Sequence, residues 1–210
     1  MPILTQKFID DGPESFLKQY VVKVADPSIT IGHHVTAKFD FVQTYDAAVV
    51  TLKKSNDGLI TACFLKWEAG KATSVTLDPA QAQYFFTSQL TNCSFAVFGN
   101  KLKPTVYHTA GTLFGTQKKK EEERVDPSLR GRKKDARLSR GSNLSAHSYR
   151  GQDDKEAPSS AFVYGIFKET EWVFDSQVVD GNIEKFFPSS SCKVPKILNP
   201  FHFKPDYDSD

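Results

Sequence analysis

Cysteine is scarce in this chain: three in 210 residues, at Cys63, Cys93 and Cys192, with no Cys-x-x-Cys pair among them. That count excludes a disulfide framework and argues against a zinc ribbon as the basis of the fold. Long apolar runs are lacking too, and no stretch approaches the roughly 18 residues that a membrane-spanning helix requires. Met1–Lys18 has neither a basic leading segment nor an apolar core, so no cleaved signal peptide is expected. Nor does one sign of charge dominate. Lys and Arg total 27 against 25 Asp and Glu, a net charge of +2, so the chain as a whole is no polyelectrolyte.

What is present is a large apolar complement. Hydrophobic residues make up 39% of the chain, and 17 of them are phenylalanine. A chain of this length can bury one substantial core, and length alone does not require two. The expectation is a single domain over residues 1–210, carrying a charged insertion at about 117–158.

Strand signals dominate the pattern. Tyr20–Val24 is β-branched, and Val35–Val42 alternates apolar with polar residues at a period of two. His33 and His34 precede that strand and point to opposite faces, which makes a shared metal unfavourable. Ala47–Lys53 and Leu59–Trp67 flank Ser55-Asn56-Asp57-Gly58, a strong hairpin signal. With Ala72–Leu77 they predict a three-stranded antiparallel meander, in which Cys63 is a core residue. Asp78-Pro79-Ala80-Gln81 resembles a capped helix start. A short helix is also expected at Pro13–Lys18. Ala161–Phe167 and Glu171–Val179 predict a further hairpin, and Phe186–Asp210 reads as a wrapping loop and tail. Together these readings predict an α+β fold: a sandwich of mainly antiparallel β-sheets with a few short peripheral helices.

The segment from Gln117 to Arg140 carries ten basic residues against five acidic ones, leaving 17 against 20 in the rest of the chain. It has too few apolar residues to offset its ordering entropy. Two readings stand: a solvated, mobile insertion, or a basic arm for an acidic partner, a nucleic-acid-bound target or a membrane surface. No aromatic residue interleaves the charges before Tyr149, so direct nucleic-acid specificity is not indicated.

The candidate chemistry lies in Tyr84–Gly111. Ser94–Phe98 and Thr105–Thr109 read as a hairpin, and a turn centred between Asn100 and Lys101 would set Cys93 directly opposite His108. Opposed side chains share a face, and a histidine beside a thiol lowers its pKa and activates it as a nucleophile. The plainer reading is a small buried thiol and a structural histidine.

The run Phe85-Phe86-Thr87, then Leu90-Thr91-Asn92-Cys93, then His108 in Val-Tyr-His-Thr-Ala-Gly, resembles the Burkholderia lethal factor family of glutamine deamidase toxins. More distantly it resembles the catalytic domain of the cytotoxic necrotising factors. The resemblance covers about Ile60–Gly115, with one departure: Asn92 stands where these families usually have glycine. It implies the same sandwich architecture, with Cys93 attacking the side-chain amide of a glutamine. His108, as imidazolium, would protonate the leaving ammonia, and backbone N–H groups near Asn92–Cys93 would hold the oxyanion. Thr87 would belong to the polar shell of the imidazole, and Gln89 is a local candidate for it without motif support. No metal or organic cofactor is needed. The implied partner is a host protein, either a translation-initiation RNA helicase or a Rho-type GTPase, met by a monomeric bacterial toxin in the host cytosol. Alternatives are a transglutaminase, a thiol protease, a chemoreceptor deamidase, or a non-enzymatic basic-armed binding protein.

Overall fold

Phenylalanine, placed at alternating positions, decides how the strands are layered. In Tyr84–Thr87, Phe86 joins one apolar cluster and Phe85 another, as the two faces of a strand require. The same division runs through Ala161–Tyr164, where Ala161 and Val163 face one way and Phe162 and Tyr164 the other. A sheet built of such strands must be covered on both sides.

The computed structural model describes residues 3–24, 34–44, 47–91, 93–113, 115–125, 127, 136–139, 159–180 and 197–203. Helices α1 (Ile3–Asp10) and α2 (Pro13–Gln19) lead into β1 (Val21–Val24), β2 (His34–Gln43), β3 (Val49–Lys54), β4 (Ile60–Leu65) and β5 (Ala72–Thr76). There follow β6 (Tyr84–Thr87), β7 (Ser94–Phe98), β8 (Thr105–Thr109), α3 (Gly115–Val125), β9 (Ala136–Ser139), β10 (Ser159–Lys168), β11 (Glu171–Asp180) and β12 (Ile197–Phe203). The strands form an eight-stranded sheet, ordered β1-β3-β2-β4-β6-β10-β11-β12, and a four-stranded sheet, ordered β5-β8-β7-β9. Pairing is antiparallel except at β1–β3 and β4–β6. The expected α+β sandwich is therefore the observed fold.

One core lies between the sheets, where Phe85, Phe95, Phe174 and Trp172 meet. The other lies between the large sheet and the N-terminal helices, built on Phe8, Phe16, Phe39, Phe41, Phe64, Phe86 and Phe162. Helix α3 covers the outer face of the small sheet, where Val125 packs against Ala96, Phe98 and Tyr107. Helix α1 was not anticipated; its Phe8 is completely buried.

The meander expectation is overturned. β3 and β4 are not neighbours, because β2 lies between them and pairs with both, and β5 belongs to the other sheet. Asp57-Gly58 is therefore not the tip of a two-strand hairpin. A Cβ on Gly58 would lie 2.7 Å from the backbone N and O of Phe39, so the glycine serves close approach to β2.

Asp78–Gln81 is a turn, not a helix. Asp78 Oδ1 accepts from the N–H of Ala80, and the carbonyl of Asp78 accepts from Gln81. The chain then extends into β6 before a second helical turn can form. Within 117–158, the described residues include most of α3 and all of β9, which pairs with β7. Those parts are regular structure, and α3 keeps Gln117, Lys119, Lys120 and Arg124 exposed to solvent. Likewise Ile197–Phe203, expected as wrapping tail, forms the edge strand β12, where Pro200 costs no interior ladder bond. His33, Asn92 and Cys192 lie outside the described residues.

Candidate functional site

Thr87 and His108 come from different sheets and meet between them. Thr87 ends β6 in the large sheet, and His108 sits in β8 of the small one. The Thr87 hydroxyl donates to the carbonyl of Leu65 at 2.9 Å, across the parallel β4–β6 pair. Having spent its proton there, Oγ1 can only accept from His108 Nδ1, 2.8 Å away. The neutral ring therefore carries its proton on Nδ1 and directs the lone pair of Nε2 elsewhere. That lone pair is buried and has no hydrogen-bond partner. The Leu65 carbonyl, which dictates the tautomer, was invisible in the sequence because a backbone acceptor has no residue signature.

His108 is fully buried. Its ladder partner Phe95 stacks on Phe85, with centroids 5.6 Å apart, which makes a dry wall. Desolvation pushes the imidazole pKa down to about 3, and the charge of Lys118 on α3 adds to the effect. The resting imidazole is neutral. An imidazolium would exist only after the ring has taken a proton from a reacting group.

Cys93 immediately precedes β7. The expected register, with Cys93 opposite His108, is corrected: Phe95 pairs with His108 and Ser94 with Thr109, so Cys93 falls in line with Ala110. Gly99 adopts φ 88° and Asn100 Oδ1 accepts from the N–H of Leu102, which moves the turn centre beyond the Asn100–Lys101 bond. A displacement by two residues preserves the face, whereas a displacement by one would not. Cys93, Phe95, Val97 and Val106 accordingly join one inter-sheet cluster, and His108 follows Val106 on that face. Cys93 and His108 are thus diagonal rather than opposed, and no hydrogen bond joins the thiol to Nε2.

Gln89 lies between Thr87 and Cys93, is 4% exposed, and neither its Nε2 nor its Oε1 has a partner. An unbonded buried amide costs about 1–3 kcal/mol by the measure of protein substitutions. On the other face of β8, the Thr109 hydroxyl donates to Glu122 Oε1 at 3.0 Å. Glu122 is almost wholly buried and ties α3 to the strand that carries His108. Sequence reading missed it, since it lies in a run of three glutamates among lysines.

Cys63 belongs to the inter-sheet core as expected. Burial pushes its thiol up to about 12, against a smaller opposing effect of the Thr36 hydroxyl. It lines a cleft of about 190 Å³ with His34, Asp78 and Trp172, and none of Thr87, Cys93 and His108 borders that cleft. Among the described residues, no group of three His, Cys, Asp or Glu is placed to hold a metal, and no helix is long and apolar enough to cross a membrane.

The buried neutral imidazole has a stability consequence. Its folded pKa lies below the unfolded value of about 6.5, so the unfolded chain binds the extra proton between about pH 6.5 and 3. Stability should therefore fall with pH through that window. His108→Asn, which keeps a donor near Nδ1 but cannot titrate, should show a shallower fall in melting temperature between pH 7 and 4. Equal slopes for the two proteins would contradict a neutral buried ring.

No family model matches the chain, and no curated protein sequence matches it. Among solved structures, the fold is similar to the C-terminal domain of CNFy from Yersinia pseudotuberculosis, with a TM-score of 0.49 and 10% sequence identity. The likeness covers 81% of this chain and 72% of that chain. At that identity it carries no assignment of residues or activity.

Proposed function

We propose that the chain is a protein-glutamine deamidase, with Cys93 as nucleophile, His108 as acid–base and Thr87 as the residue that orients the imidazole. The observation that carries this reading is the Leu65–Thr87–His108 relay, which leaves a neutral Nε2 lone pair on the face that also holds Cys93. A structural histidine would be expected to bond both nitrogens in a buried setting.

In the proposed reaction, Nε2 takes the thiol proton as sulfur attacks Cδ of a substrate glutamine. The imidazolium then gives that proton to the departing nitrogen, which leaves as ammonia and a thioester remains. Water, deprotonated by the neutral ring, cleaves the thioester to glutamate and restores the thiol. The diagonal placement of Cys93 and His108 requires the thiol to rotate toward Nε2 when substrate binds; hydrogen bonds of this kind are often loose before binding. The substrate class is a glutamine on a host protein. A translation-initiation RNA helicase or a Rho-type GTPase is the candidate that the motif resemblance suggests, reached by a toxin delivered to the host cytosol.

The test is to incubate the protein with host-cell lysate, measure ammonia, and map Gln→Glu sites by peptide mass. Conversion at one or a few glutamines supports the reading, and an unchanged glutamine inventory refutes it. Iodoacetamide adds a residue-level check, since Cys63 should resist labelling at neutral pH. Thr87→Val keeps shape but removes the hydroxyl. It should cut turnover roughly 10–100-fold and alter the pH–rate profile, because the tautomer is no longer dictated. An unaltered profile would remove Thr87 from the mechanism.

A further inference from the structure

Gln89 stands out within its stretch because its neighbours are bonded and it is not. The Thr87 hydroxyl is engaged by Leu65 and His108. Ser88 donates its N–H to the Leu65 carbonyl at 3.1 Å, and its hydroxyl oxygen accepts from the N–H of Trp67 at 3.1 Å. Leu90 exchanges two backbone bonds with Ala161, each 2.8 Å. Phe86 pairs with Tyr164 and Leu90 with Ala161, so β6 spends one more residue than β10 over the same span. An irregularity of that kind re-aims a side chain, and such features gather beside active sites. The backbone around Gln89 is anchored on both sides, yet its amide is buried with donor and acceptor unused. A buried group of this kind calls for a cause, and a ligand that completes its bonds is one.

We infer that Gln89 reads the carboxamide of the substrate. This rests on the deamidase reading above. A primary amide offers a donor and an acceptor side by side, and the group that satisfies both at once is another primary amide, through two antiparallel N–H···O bonds. In that arrangement Gln89 Nε2 donates to the substrate oxygen, where negative charge develops as sulfur adds. Gln89 Oε1 accepts from the substrate nitrogen. Sulfur approaches Cδ from above the amide plane, so these in-plane bonds do not block its path. The glutamate product cannot repeat them, because its carboxylate offers only acceptors and would set an oxygen against Gln89 Oε1. The residue thus favours amide over acid, which selects the substrate and helps expel the product. It needs no more opening of the protein than the rest of the site, since Gln89 at 4%, Cys93 at 6% and His108 at 0% exposure are closed together.

The experiment compares wild type with Gln89→Met, an apolar side chain of similar shape, in two measurements. Removing an unbonded buried amide should leave the melting temperature unchanged or raise it by about 2–4 °C. Deamidation of lysate protein should fall about 10–100-fold in kcat/KM, with kcat reduced as well because the lost donor faces developing charge. A merely structural glutamine would instead lose stability on substitution while sparing kcat, and that outcome overturns the inference. If wild type deamidates and Gln89→Met matches it, the inference fails and the deamidase reading stands. If wild type releases no ammonia from lysate protein, both fall.

Discussion

Cys93→Ser should lower ammonia release by about 10⁴-fold or more while leaving melting temperature and target binding near wild type. The substitution changes one atom at a site that is 6% exposed, so packing between the sheets is nearly conserved. What changes is acidity. A neutral imidazole can accept a proton from a thiol, but a serine hydroxyl is far less acidic and gains little from the same base. His108→Ala should be almost as damaging, and the double variant little worse than either, because residues acting as one unit lose their effect together. Measuring initial rates on lysate protein for the three variants, with circular dichroism to establish folding, tests this directly. Wild-type rates in Cys93→Ser would end the nucleophile assignment and the deamidase reading with it.

The second large effect concerns stability. Phe86→Ala should cost about 3–5 kcal/mol, in the range for deleting a fully buried aromatic side chain. Phe86 is 0% exposed and meets the rings of Phe8, Phe39, Phe41 and Phe162 at centroid distances of 5.9–6.3 Å. These belong to α1, β2 and β10, so one truncation opens a cavity shared by three parts of the core. Urea unfolding should give a lower midpoint with a similar slope. A loss under about 1 kcal/mol would mean that the site can collapse around the smaller residue. Thr87 follows Phe86 directly, so activity should decline at lower temperatures than in wild type.

The sequence revealed these features unevenly. Strand positions such as Ser94–Phe98, Thr105–Thr109 and Glu171–Val179 were readable because apolar alternation and turn residues act locally. Partners were readable for the β7–β8 and β10–β11 hairpins, but not for the strands from β2 to β5. Asp57-Gly58 carries the same signature whether it caps a hairpin or admits a neighbouring backbone, and only the approach of Phe39 distinguishes the two. In the β7–β8 hairpin, a six-residue connection from Gly99 to Pro104 leaves the turn centre undetermined by local chemistry, so the register differed by two residues. The Thr87–His108 contact was suggested by a motif rather than by spacing, since the two residues are far apart in the chain and belong to separate sheets. Regular structure in α3 and β9 escaped a composition argument, because Glu122, buried against Thr109, looks in the sequence like any solvated charge.

The division of Thr87 and His108 between two sheets also bears on how the molecule folds. The β7–β8 and β10–β11 hairpins join strands adjacent in sequence, and such units form within microseconds. β6 can pair with β4 earlier, but its other edge must wait for β10, since Phe86 pairs with Tyr164. Pairings across long stretches of chain form slowly, because the entropy of closing the loop is met before the contacts exist. The relay from Leu65 through Thr87 to His108 then requires the two finished sheets to dock. It should therefore be among the last contacts to form during synthesis or refolding, and a chain that ends before β10 should be chemically silent even with Thr87, Cys93 and His108 already made.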